Sequence, residues 1–260
     1  MSVPPTPTSV KGKLYLVPAP LDFGCDETPD LQATLPLGTL EKAASLTHWI
    51  CENAKSTRAY LKRIHAITPL HQSIQEMSLV ELPREVHKKG DHSGNFDARP
   101  LLKPALAGHD LGLVSEAGMP AIADPGSSVV RAAHELGIAV IPLVGPVSIL
   151  LALAASGLNG QNFAFVGYLP QDPVERAQRI RELETLALRS GQTQLFIEVP
   201  YRNLAMLQSL LQTLQHNTRL ALGSGLTLAR AQISSDSVKN WKHHTPPLDN
   251  ATPAIFAIGR

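Results

Sequence analysis

The stretch from Leu111 to Gly157, LGLVSEAGMPAIADPGSSVVRAAHELGIAVIPLVGPVSILLALAASG, constrains the fold of this chain more than any other part. Two apolar segments within it, Leu111 to Val114 and Ile138 to Leu143, have the length of strands, and each runs into a Gly/Pro turn and then a helix. Strands apolar at nearly every position are covered on both faces, which is the condition of a parallel sheet. Ser127 to Leu136 joins them as a helix stopped by Gly137, so the segment reads as a right-handed βαβ unit. In open α/β sheets a small molecule sits beyond the carboxyl ends of the strands, where these turns lie.

With 260 residues, 43% of them hydrophobic, the chain holds enough apolar side chain for one large or two small α/β domains. The formal charge of +1 gives no global attraction to nucleic acid, so contact with a polyanion needs a local basic face. Cys25 and Cys51 lack CxxC spacing, and the opening MSVPPTPTSVKGK lacks the apolar core of a signal peptide. A reducing, cytoplasmic setting without a disulfide is the expectation. Ile138 to Ser156 is nearly free of charge, but Pro142, Gly145 and Pro146 break it into a buried strand and a buried helix rather than a membrane span.

The remaining elements follow from punctuation and periodicity. Residues 1–10, rich in Pro, Ser and Thr, read as a disordered tail; Lys13 to Pro18 reads as a strand and Ala19 to Pro36 as loop. His48 to Cys51 reads as a strand, and Ser56 can cap a helix running to Ile64. Met77 to Arg99 has no period and reads as an exposed, mobile loop. After Gly145 and Pro146, Ser148 can cap the helix Ile149 to Ala155, with Gly157 as its stop. Phe163 to Leu169 is a strand, and Asp172, Pro173 and Glu175 form the start signal of a charged helix to Arg189. Gln194 to Val199, Arg219 to Leu222 and Ala254 to Ile258 read as strands, and Tyr201 to Gln215 as an amphipathic helix.

The turn Ser115 to Pro120 and the loop Val144 to Ser148 end strands expected to be neighbours, so they open on one edge of the sheet. Asp124-Pro125-Gly126 adds a further turn, in which Asp124 reads as turn former or helix cap. No GxGxxG and no GxxxxGK[ST] is present, which disfavours a dinucleotide or a nucleoside triphosphate. No His/Cys/carboxylate cluster has metal spacing, the pair His243-His244 included.

LVSEAGMPAIADPG followed by VIPLVGPVSILLALAASGL, FAFVGYLP and LFIEVPYRN resembles the tetrapyrrole methylase superfamily, within it the branch of bacterial 16S rRNA cytidine 2′-O-methyltransferases and their uncharacterised paralogues. The resemblance runs from about Lys13 to the end of the chain. It implies two α/β domains, 11–146 and 147–260, with S-adenosylmethionine (SAM) between them, in a homodimer. It also implies that Gly118, Met119 and Pro120, which stand where many members carry Gly-Asp-Pro, contact the cofactor. Ile122, Ser148, Ile149, Ile197, Glu198 and the segment Thr252 to Ala254 are implied as further cofactor contacts.

The chain departs from that branch in four places. Its first loop is Pro20-Leu21-Asp22-Phe23 instead of a Gly- and Asn-containing one, and Glu-Asp-Thr-Arg becomes Glu52-Asn53-Ala54-Lys55. The acid of Ser-Asp-Ala-Gly persists as Glu116, whereas the late Glu-containing loop, here Gly225 to Arg230, has lost its acid.

A sulfonium donor carries its own activation, so a hydroxyl acceptor chiefly needs positioning and help with its proton. Glu116 and Glu52 are the carboxylates expected at the cleft mouth for that work, although a structural carboxylate capping a turn is the commoner use of such a residue. Lys55, Arg58 and Lys62 share one helix face that can grip RNA phosphates, or simply meet solvent. The expectation is a SAM-dependent methyltransferase acting on RNA ribose or a related acceptor. A binding protein for SAM or S-adenosylhomocysteine without turnover, and a tetrapyrrole methylase, are the rival readings.

Overall fold

The computed structural model describes residues 10–21, 28–89, 91, 96–244 and 246–260. The expected tail, apart from Val10, lies outside the described residues, as do Asp22, Phe23 and Cys25. Two compact units succeed each other at Pro146 and Val147, and each has its own five-stranded sheet.

The first unit runs β1 (Leu14–Leu16), α1 (Leu37–Ser45), β2 (His48–Cys51), α2 (Ala54–His65), β3 (Ser78–Glu81), α3 (Arg84–Lys89), α4 (Lys103–Leu106), β4 (Leu111–Val114), α5 (Ser127–Glu135) and β5 (Val140–Pro142). The strand order is β3-β2-β4-β1-β5, and every pairing is parallel. Alternate side chains serve opposite cores. Tyr15, Trp49, Cys51 and Val114 pack with Leu40 and Ala43 of α1 and Leu61 and Ile64 of α2. Leu14, Ile50, Leu111 and Leu113 pack with Leu102, Ala105 and Val129, Ala132 and Ala133 of α5. Both faces are therefore covered, as the uniformly apolar strands require. Gly112 faces the Trp49 ring so closely that a Cβ would stand 2.5 Å from it, which explains a glycine inside a central strand.

Several sequence expectations need correction here. Residues 77–99 are not one open loop, since β3 pairs with β2 as an edge strand and α3 follows. With one neighbour and one half-buried side chain, such a strand shows no alternation to read. Helix α1 falls just beyond a Pro-rich stretch expected to be loop. The cap of α2 is Asn53, whose Oδ1 accepts from the Lys55 and Ser56 amides at 2.9 and 3.3 Å, and not Ser56. Strands β4 and β5 are not neighbours, because β1 lies between them.

The second unit runs α6 (Ser148–Ser156), β6 (Phe163–Tyr168), α7 (Pro173–Ser190), β7 (Thr193–Glu198), α8 (Asn203–Thr213), β8 (Arg219–Ser224), β9 (Gln232–Ser237), α9 (Val238–Trp241) and β10 (Ala254–Gly259). Its order is β6-β7-β10-β8-β9, parallel between β6 and β7 and antiparallel elsewhere. One face carries α7 and α8 over Phe196 and Phe256, a cross-strand pair stacked at 5.7 Å. The other face packs Ile149, Ala152 and Leu153 of α6 on Leu195, Ala221, Ile255 and Ala257.

Asp172 caps α7 as its spacing predicts, accepting from the Val174 and Glu175 amides at 2.9 and 3.0 Å, an interaction worth about 1 kcal/mol. Gly157 and Gly191 end α6 and α7 in the left-handed region, with φ of +71° and +68°. Ser148 is the first residue of α6 and makes no cap; Val147 holds the cap position without a side-chain bond. The edge strand β9, with sequence QISSDS, has no apolar alternation and was not legible. Among the described residues no helix is long and apolar enough to cross a membrane.

Candidate functional site

Because the strands of the first sheet are parallel, the chain leaves all of them on one edge, and there three loops gather. Ala19, past β1, and Gly118, past β4, exchange two backbone hydrogen bonds at 2.8 and 2.9 Å. Gly145, past β5, lies against Pro18, where a Cβ would come within 2.2 Å of the ring. The Val144 carbonyl accepts from Thr39 Oγ1 at 2.7 Å. Turn 115–120 and loop 143–146 are thus fixed through the β1 loop that separates them.

Gly118 stands at φ +71°, and a Cβ there would meet nothing nearer than the Pro146 carbonyl at 3.9 Å. Its lack of a side chain leaves backbone open to an incoming group. Ala121 and Ala123 take φ of +65° and +64°, a conformation that costs roughly 1–3 kcal/mol for a residue with a Cβ. Between them Ile122 is 43% exposed, a large apolar side chain presented outward at a strained position.

The predicted carboxylates meet at this edge. Glu52, just past β2, accepts from the Glu116 amide through Oε2 at 3.1 Å. Glu116 Oε1 accepts from Ser56 Oγ, in the first turn of α2, at 2.7 Å. Asp124 is the third member. It lies in the bend before α5 but does not cap that helix, since the cap position is Gly126 and the Asp124 carboxyl makes no hydrogen bond among the described residues. Burial first, then the Glu52 and Glu116 carboxylates, push its pKa up to about 7.

Helix α2 starts at the same edge and presents Lys55, Arg58 and Lys62 to solvent. Asn53, standing where the related branch has an acid, caps that helix, a task Asn and Asp perform equally well.

In the second unit Ile149 packs in one cluster with Ile255 and Ile197, and Ala254 pairs with Glu198 across β10 and β7. The Glu198 carboxylate is turned to structural use. It is buried, accepts from the Val199 amide at 2.8 Å, and pairs with Arg202 Nη2 at 2.6 Å, so only its backbone is offered to a ligand. Asp249 gathers the amides of Ala251 and Thr252 at 2.9 and 2.6 Å and so shapes the approach to Ala254. Thr227, in the late loop that lost its acid, has φ +81°, and its buried hydroxyl finds no partner among the described residues. Among the described residues no group of three metal-ligating side chains occurs, and His243 and His244 are exposed.

Sequence reasoning missed Asp91 and the carboxyl role of Asp124. Asp91 is buried and reaches over 35 residues along the chain to the Gly126 amide at 2.9 Å, which no local pattern reveals.

Comparison with known proteins adds the lineage. The family described as Tetrapyrrole (Corrin/Porphyrin) Methylases matches residues 39–240. The chain is 30% identical to a Mesorhizobium japonicum protein named ribosomal RNA small subunit methyltransferase I, over 91% of this chain and 71% of that one. It is 29% identical to the Haemophilus influenzae protein of the same name, over 86% and 76%. Against the Vibrio cholerae protein of that name identity is 35% over 53% of this chain, and the match spans only 46% of the relative. Among solved structures, the methyltransferase CobJ superposes with a TM-score of 0.57 at 17% identity, covering 96% of this chain and 94% of that one. Uroporphyrin-III-C-methyltransferase from Thermus thermophilus gives 0.51 at 18%, covering 95% and 92%. These two show likeness of fold.

The Asp124 environment makes stability depend on pH in a stated direction. Its folded pKa lies above the ~4 of an unfolded aspartate, so between about pH 4 and 7 the folded chain keeps a proton that the unfolded chain has released. Stability from this group falls as pH rises through that window and stays low above it. Asp124→Asn is expected to raise the unfolding midpoint at pH 8, with the gain vanishing toward pH 4. Urea unfolding at both values checks this, and an equal gain at the two would refute it.

Proposed function

Because the chain belongs to the tetrapyrrole (corrin/porphyrin) methylases, we propose that it transfers the methyl group of SAM to a ribose 2′-hydroxyl of RNA, with small-subunit ribosomal RNA as the acceptor class. The observation that carries this reading is the similarity, over most of the chain, to proteins named for methylating that RNA. A ribosomal acceptor implies a cytoplasmic reaction.

The residues fit the donor. Gly118, with open space where a Cβ would be, supports backbone contact with it. Met119, Pro120 and the outward Ile122 would supply its apolar walls from the first unit. When bound, SAM supplies a methyl group already activated at its sulfonium. This chain is left to orient the acceptor oxygen and take its proton. Glu116, steadied by Ser56, and Glu52 orient the hydroxyl, and Asp124, titrating near neutrality, is poised to accept the proton. The exposed face of Lys55, Arg58 and Lys62 begins one turn from Glu116 and supplies phosphate contacts.

The test is transfer of labelled methyl from SAM into RNA fractions and small-molecule extracts of cells lacking the protein. Label in small-subunit ribosomal RNA is expected, and Glu116→Gln should lower turnover about a hundredfold with donor affinity nearly unchanged. Donor binding without transfer to any fraction would replace this reading with a binding role, and label confined to tetrapyrroles would replace the acceptor.

Charge reversal at Arg58 and Lys62 together should weaken RNA binding and flatten its dependence on salt, measured by fluorescence anisotropy across a salt series. Unchanged affinity would remove RNA as the partner.

We also propose a homodimer. Phe163 and Tyr168 of β6 are 40% and 56% exposed, and Leu150 and Leu151 of α6 are 47% and 42% exposed, more apolar surface than a small unit ordinarily leaves to water. Light scattering at micromolar concentration should give twice the chain mass; a monomer mass overturns it.

A further inference from the structure

Loop 115–126 carries four residues with positive φ: Gly118, Ala121, Ala123 and Gly126, the last at +136°. Its internal ties are long, Ala121 N to the Pro125 carbonyl and Ile122 N to the Met119 carbonyl, both at 3.3 Å. Something outside the loop must hold it. At Gly118 that role falls to Ala19, through its two short hydrogen bonds.

At Gly126 it falls to Asp91. Its Oδ2 accepts from the Gly126 amide at 2.9 Å, the Ser128 amide at 2.8 Å and Ser128 Oγ at 2.6 Å, and its Oδ1 accepts from Ser127 Oγ at 2.7 Å. Asp91 is only 4% exposed. Burial pushes its pKa up, but the Ser128 and Ser127 hydroxyls and the two amides outweigh it and hold the group below the usual aspartate range. The carboxylate thereby serves as the cap that α5 lacks, because glycine at its N-cap has no side chain to offer. Gly126 has no freedom to yield: a Cβ there would stand 3.0 Å from Leu113 and 3.3 Å from Ala121.

We propose that Asp91 is a positioning residue of the methyl-donor site. From a distant segment it fixes the far end of loop 115–126 and so holds Met119, Pro120 and Ile122 in the strained form that receives the donor. The role rests on the methyltransferase reading above. It predicts an effect on donor binding, rather than on the transfer step, when the carboxylate is lost.

The experiment titrates S-adenosylhomocysteine by calorimetry into the full chain and into Asp91→Ala, Asp91→Asn and Val129→Ala. The last variant trims the buried face of α5 without touching the cap and controls for general loosening of that helix. Asp91→Ala should bind at least tenfold more weakly and raise KM for SAM with kcat within twofold. Asp91→Asn, which keeps one acceptor oxygen but loses the charge, should fall between, three- to tenfold weaker than the parent chain. Val129→Ala should lower the unfolding midpoint yet bind within twofold of the parent chain. Amide exchange at residues 119–128 should accelerate at least tenfold in Asp91→Ala and not in Val129→Ala.

Affinity in Asp91→Ala no weaker than in Val129→Ala overturns the proposal, as does unaltered exchange in the loop. If Asp91→Ala does not fold, Asp91→Asn against Val129→Ala decides, with at least a threefold weakening required. A parent chain that binds neither SAM nor S-adenosylhomocysteine overturns the methyltransferase reading itself, whereas binding indifferent to Asp91 overturns only the role of Asp91.

Discussion

The position of β1 between β4 and β5 is the arrangement on which the first unit depends. Three residues, Leu14, Tyr15 and Leu16, pair in parallel with both neighbours and supply side chains to the cores on either face. Since all the strands point one way, the loops after β1, β4 and β5 leave from one edge, and the β1 loop stands between the other two. Ala19 ties the turn at Gly118, and Pro18 meets Gly145 so closely that only a glycine fits. The candidate donor loops are thus held by the same strand that closes the hydrophobic core.

Two aspartates near loop 115–126 show how environment assigns different work to one side chain. Asp91 is buried, yet four hydrogen bonds keep it ionised and make it an anchor. Asp124 has no hydrogen bond among the described residues, and burial and two neighbouring carboxylates hold its proton to about pH 7. A buried anion surrounded by donors stabilises the fold, whereas an unpaired one near like charges costs stability and persists where chemistry uses it.

The departures from the related ribosomal RNA methyltransferases take on different weights once placed in the fold. Asn53 for an acid is neutral for structure, because that position caps α2 and Asn does so equally well. Glu116 keeps its acid within reach of Ser56. The late loop differs more: without its acid, it presents Thr227 in a strained conformation with a buried hydroxyl that is unpaired among the described residues.

Much of the fold was legible in the sequence because its signals are local. Apolar strands, the Asp172 cap and the glycine stops at 157 and 191 act within one turn or one strand, and adjacent residues encode them. Edge strands β3 and β9 were not legible, since a strand with one neighbour and a wet face needs no apolar alternation. The meeting of Glu116 and Glu52 at one edge could be read from their places after strand ends, but not which carboxyl would lack a hydrogen bond among the described residues. By itself the sequence determined the α/β class, the family and the Gly/Pro loops that follow the strands, through the periodicity of burial and the punctuation by glycine and proline. The tertiary structure alone decided that β1 separates β4 from β5, that Asp91 caps a helix 35 residues away, and that Asp124 stands beside Glu52 and Glu116. Strand order and long-range hydrogen bonds depend on which distant segments come to share one edge, and no local pattern carries that information.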